Sequence, residues 1–180
     1  MTLSIHALLT CTRRWDQTIS GDREPDTSLL TAVTTFSSHL TELRQTLPLL
    51  AISRLHRRIV SHLSNHIQQR AVYAGWSKFT VIGGKDLADE VADWRKASTS
   101  SLPDIDGGVI DYPWTRLSDI GRVLSLPTDG DTNATFSQAM AAAWSGGDDT
   151  LHTLSERIGL VDVSRTELQG ILRRRGDCWM

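Results

Sequence analysis

The chain has 180 residues, 39% of them hydrophobic and 22% charged, a balance that excludes the disordered and membrane-spanning classes and suits one domain burying roughly 70% of its unfolded surface. A formal net charge of -2 lacks the basic excess that duplex nucleic acid selects, so no nucleic-acid partner is expected. Two cysteines, Cys11 and Cys178, sit at opposite ends, which argues against a disulfide framework and fits a reducing compartment.

Helical period dominates and no segment alternates in the manner of a strand, so the sequence predicts an all-α fold. Ile5, Leu8, Leu9, Thr12, Trp15 and Ile19 form the stripe of a first helix over residues 3–19. It lacks the long apolar core and small-residue cleavage site of a signal peptide. The polar stretch 20–27, with Gly21 and Pro25, reads as a loop. A second helix follows over 28–45, with Leu30, Val33, Phe36, Leu40 and Leu43 on one face. Pro48 marks a fresh start, because proline is tolerated only in a first helical turn. From there Ile52, Leu55, Ile59, Leu63, Ile67 and Val72 predict one long helix to about Tyr73. At 1.5 Å per residue it would be close to ~40 Å long, a rod suited to an elongated bundle.

Gly83-Gly84 reads as a break, with a shorter helix over 85–96 after it. Residues 98–112, with Pro103 and Gly107-Gly108, read as the longest loop and a possible subdomain boundary within one helical domain. Four short helices complete the chain, over 114–126, 134–144, 150–158 and 165–174. The last opens on Ser164 and Glu167, the spacing of a capping box. The total is an elongated bundle of seven or eight helices. The longest apolar run, 47–52, is far short of the roughly 20 residues of a spanning helix.

Chemical motifs fail one by one. His62 and His66 stand four apart, a spacing that can hold zinc, but no glutamate follows His62, so a zinc-dependent hydrolase lacks its general base. Asp129 to Asn133 resembles the start of a calcium loop, yet Ala134 and Met140 occupy the places of its glycine and bidentate glutamate, leaving a turn and a helix cap. Gly83-Gly84-Lys85 lacks the hydroxyl of a phosphate loop, since Asp86 follows. No Gly-flanked serine or activated cysteine supplies a nucleophile. The sequence therefore predicts no catalytic residue, no metal and no cofactor.

Charge is distributed unevenly. Arg54, Arg57, Arg58, Arg70 and Lys78 fall in a stretch with no carboxylate, interleaved with His56, His62 and His66. Solvated helix faces are the plain reading of such runs; a partner-binding surface is the sharper one, and an anionic-lipid surface a third. Arg173-Arg174-Arg175 reads first as a helix C-terminal cap, and second as a site for an acidic partner. The six tryptophans, Trp15, Trp76, Trp94, Trp114, Trp144 and Trp179, read as core anchors at helix junctions, Trp76 closing the long helix.

Several strings resemble one family. Gln68 to Tyr73, Trp76-Ser77-Lys78-Phe79, Gly83 to Leu87 with Gly84 and Asp86, Trp94, Pro113 to Leu117 with Trp114, and the tail Leu172 to Trp179 are similar to the C-terminal region of the Rad-fifty-interactor/Tip-twenty family. The resemblance runs from about Thr35 onward. It implies a C-terminal piece of a longer subunit of the endoplasmic-reticulum tethering complex, built of helical bundles. It further implies capture of Golgi-derived retrograde vesicles and engagement of SNARE proteins and other tether subunits, with peripheral association at the endoplasmic reticulum membrane. Trp76, Phe79, Gly84, Asp86, Trp94 and Trp114 would then be structural motif residues, and the basic stretch from Arg54 to Lys78 the partner surface.

Overall fold

A computed structural model describes residues 27–73, 78–130, 134–161 and 163–178. The expected helix over 3–19, with Cys11 and Trp15, lies outside the described residues, as do Trp76, residues 131–133 and Trp179. The protein is an all-α bundle, with seven helices of eight residues or more among the described residues. In chain order they are α1 (Thr27–Thr46), α2 (Leu49–Ile67), α3 (Val81–Ser101), the short α4 (Gly107–Asp111), α5 (Thr115–Leu124), α6 (Phe136–Trp144), α7 (Asp148–Ile158) and α8 (Arg165–Leu172).

Pro48 performs the expected stop and start: α1 ends at Thr46 and α2 begins one residue after the proline. Helix α2 continues without interruption into a π-helical turn, Gln68–Tyr73, so the long predicted rod is present. Its rotation differs from the prediction. The buried face is Ile52, His56, Val60, Ser64 and Ile67, while Leu55, Ile59 and Leu63 are only half-buried. A small serine and a neutral histidine are accepted at the centre of the contact because apolar residues flank them on both sides, and His56 thus leaves the basic surface to which its neighbours belong.

Helix α3 corrects two expectations. Gly83-Gly84 does not break the chain but lies in the first turn of α3, where the Thr80 hydroxyl accepts from Gly83 N at 3.0 Å. Gly84 is needed for packing: a Cβ there would overlap the Leu124 carbonyl and lie 2.7 Å from Ser125 N. Across the same crossing, a Cβ on Gly121 would lie 3.0 Å from Ala88 Cα. The second correction is at the C-terminal end, where residues 98–101 are helical rather than loop. Ser98 and Thr99 hydroxyls donate back to the carbonyls of Trp94 and Arg95, each at 3.0 Å, and Ser101 meets Ser37 of α1 at 2.8 Å.

Only residues 102–106 remain non-helical in the region expected to be the longest loop, because Asp106 caps Gly108 N and Val109 N and turns Gly107-Gly108 into the start of α4. The two sides of that short connection are joined by aromatic packing. Phe36 of α1 meets Trp94 of α3 edge-on with centroids 5.2 Å apart, and Trp94 stacks at 6.2 Å on Trp114, in a 3₁₀ turn (Tyr112–Trp114) after α4. Arg95 donates to both Asp111 carboxylate oxygens, at 3.2 and 2.6 Å. Trp94 and Trp114 are buried, as expected of core anchors, and Trp144 closes α6 half-buried. Capping boxes open α6 (Thr135 with Gln138) and, as expected, α8 (Ser164 with Glu167).

Candidate functional site

Basic side chains do two different jobs in this molecule. Every α-helix leaves its last four carbonyls without an internal partner. In α5 through α8, a cation from elsewhere in the chain meets each of those ends. Arg175 donates through Nη1 to Leu124 O at 2.9 Å and Leu126 O at 2.6 Å, ending α5. Arg165 donates to Ala142 O at 2.9 Å and Gly146 O at 2.7 Å, ending α6. Arg122 donates to Gly159 O at the end of α7, and Lys78 to Arg173 O at the end of α8. Negative partial charge at a helix C-terminus favours each contact.

Arg175 is the most enclosed of these. Its side chain is 0% exposed, stacks 4.3 Å from the centroid of Phe136 and pairs with both carboxylate oxygens of Asp177. Burial pushes the Asp177 carboxyl up, but Arg175 and the Thr128 hydroxyl outweigh it and hold the group below the usual carboxylate range. The backbone repeats the connection: Phe79 N donates to Arg174 O at 2.7 Å and Gly176 N to Phe79 O at 2.9 Å. Phe79, buried, is thus the strap that ties the tail to the entrance of α3. The arginine run caps a helix as expected, but through Arg175 the helix is α5 rather than its own.

The cations on α2 are arranged otherwise. Helix α2 has three arginines, three histidines and no carboxylate. Arg54, Arg58, Ser61, His62 and Asn65 share its outward face and, with Arg57 on the flank, line a shallow groove. Arg54 and Arg58 are exposed and make no hydrogen bond or ion pair among the described residues. Arg57 lies 5.3 Å above the ring of Tyr112, which is itself 68% exposed, a cation–π contact that holds the guanidinium without neutralising it. Leu50, 64% exposed, stands one turn before Arg54 on the same side.

Of the five basic residues expected to form one partner surface, the structure therefore gathers Arg54, Arg57 and Arg58. Lys78 is used at the end of α8, and the side chain of Arg70 lies outside the description. Tyr112 is the contributor that the sequence did not reveal: its only signal was an aromatic next to a proline in a presumed loop. His62 is exposed and His66 half-buried, and no group of three or more potential metal ligands gathers among the described residues. Gly84, Trp94 and Trp114 are packing residues, and Asp86 is half-buried on α3. No described helix is long and apolar enough to cross a membrane.

The class that fold and site define is an all-α bundle with a cationic helix face left unneutralised among the described residues. No family model, curated protein or solved structure matches the chain.

Proposed function

We propose that the chain is a non-catalytic helical binding module of a vesicle-tethering subunit in Golgi-to-endoplasmic-reticulum transport. Its outward α2 face takes an acidic amphipathic helix of the SNARE type. One observation carries the reading: α2 presents three arginines with no carboxylate on the helix, and the fold neutralises none of them among the described residues. Charge that the fold leaves uncompensated is available to steer and bind an oppositely charged partner. Leu50 and Tyr112 supply apolar contact beside it, as helix-in-groove recognition requires. The resemblance of the chain from about Thr35 onward to tether subunits supplies the kind of partner, and association with the membrane would then be indirect, through that partner.

Fluorescence anisotropy of labelled cytoplasmic helices from endoplasmic-reticulum SNAREs, titrated with the full chain, tests this directly. Binding should weaken at least tenfold in the triple variant Arg54→Glu, Arg57→Glu, Arg58→Glu, and should weaken in the unaltered protein as salt rises. Equal affinity of the two proteins would reject the α2 face. Sedimentation with phosphatidylserine vesicles that is lost in the same variant, with no helix bound, would replace the reading with a lipid surface.

A further inference from the structure

Helix α7 lies outside the frame that its neighbours make with each other. Helices α6 and α8, which flank it in the chain, pack directly together: Gln169 Nε2 donates to Ala143 O at 2.8 Å and Arg165 Nη1 to Ala142 O at 2.9 Å. The stretch that holds α7 is therefore an excursion from a joint that is closed without it. Burial of apolar surface is what holds a helix to a bundle. Helix α5 buries seven residues, α6 four and α8 three, but α7 buries Leu154 alone along its 11 residues. Leu151 and Ile158, on the same stripe, are partly buried against the core.

The two ends of α7 are fastened differently. At the C-terminal end, Gly159 turns the chain in the left-handed region, with φ at 70°, and its carbonyl accepts from Arg122. Asp119, 1% exposed, accepts from Val161 N at 3.1 Å just beyond. A buried carboxylate does not give up such donors cheaply, so this end is fixed. At the N-terminal end the attachment is an ion pair of Asp148 with Arg165 Nη2 at 2.9 Å, and the Asp148 side chain is fully exposed. Exposed pairs hold little. Arg165 keeps Ala142 O and Gly146 O through its other nitrogen if that pair opens. The N-cap is Gly147, which has no side chain to bond the first turn and open space around it.

We propose that α7 is a hinged flap. It swings about Gly159 from its Asp148 end while α5, α6 and α8 stay folded, and it bares the part of α6 on which it rests. The molecule then has a closed and an open form that share one frame.

Native-state hydrogen exchange of the full chain, read amide by amide across low urea, tests the flap. The amides of α7 should share one opening, at least about tenfold more frequent than that of the slowest amides of α5 and α8. Its urea dependence should be smaller than theirs but not zero, because a limited surface is exposed. Asp148→Ala should make that opening several-fold more frequent and leave α5 and α8 unmoved. Asp149→Ala removes the same charge from the first turn without touching the pair with Arg165, and should act less. Exchange of α7 at the rate and urea dependence of α5 would overturn the proposal, since α7 would then open only with the whole domain. So would exchange at the unstructured rate, unrelated rates without urea dependence along α7, or equal effects of the two substitutions.

Discussion

The first three long helices and the last four hold together by different means, and length is the reason. Helices α1, α2 and α3 have 20, 19 and 21 residues, so their open ends are a small share of each backbone and one apolar stripe secures them. Their C-termini are closed locally: Leu47 N returns to Leu43 O, α2 runs into its π turn, and Leu102 N returns to Ser98 O. Helices α5 to α8 have 10, 9, 11 and 8 residues, so the last four carbonyls are nearly half of each, and backbone returns such as Ser125 N to Gly121 O and Leu160 N to Ser155 O satisfy only some of them. These ends are met by Arg175, Arg165, Arg122 and Lys78. The comparison teaches where to look for function: Arg175, Arg165, Arg122 and Lys78 are taken up at the ends of short helices, and the arginines of α2 are left over among the described residues.

The sharpest way to break that comparison is Arg175→Ala. It leaves the half-buried Asp177 without its cation and two buried carbonyls without their donor, and unfolding free energy should fall by about 2–4 kcal/mol in a urea titration. Arg175→Lys should recover little, because an ammonium cannot reproduce the fork that reaches Asp177 and Leu124 together. A stability within about 0.5 kcal/mol of the unaltered protein would show that the tail clamp is incidental.

The joint between the halves comes next. Gly84→Ala would press a methyl into the backbone of α5 at Leu124, and since backbone cannot swing aside, a loss of about 2–3 kcal/mol is expected. If alanine were stabilising there, as its helix propensity alone would make it, the close crossing of α3 and α5 would be refuted.

A smaller effect sits on the long-helix side. Burial lowers the His56 pKa from 6.5 to about 4. The unfolded chain therefore takes up this proton before the folded one does. Stability is full above 6.5, declines as pH falls below it, and the loss is complete near 4. At about pH 5 the contribution of this residue should be a loss of about 2 kcal/mol. Melting curves at pH 7.5 and 5 should show that decline, and His56→Leu should reduce it. An equal decline in the variant would move the cause elsewhere.

The sequence made the helical class and most helix positions legible because stripes such as Phe36 with Leu40 and the stop at Pro48 are local signals. Gly83-Gly84 was ambiguous for a physical reason: glycine weakens a helix and also permits close backbone approach, and only the position of α5 decides between them. Serines at 98 and 101 misled in the same way, since hydroxyls that favour loops can also bond back within a helix. The basic stretch was visible as composition, but its division was not. Lys78 and Arg58 look alike in sequence, and the contact with Arg173 O, far along the chain, separates a cap from a free charge. Tyr112 likewise became part of the site only when α4 and its 3₁₀ turn placed it under Arg57.

Thermal unfolding of two triple variants tests the division of labour most directly. One removes Lys78, Arg122 and Arg165 by alanine, and the other removes Arg54, Arg57 and Arg58. Losing three end-capping contacts at about 1 kcal/mol each should lower the midpoint of the first by about 6–12 °C, whereas exposed α2 substitutions should leave the second within about 3 °C of the unaltered protein. Equal shifts in the two variants, or a larger one in the α2 variant, would mean that the arginines of α2 belong to the architecture and that no face is held in reserve for a partner.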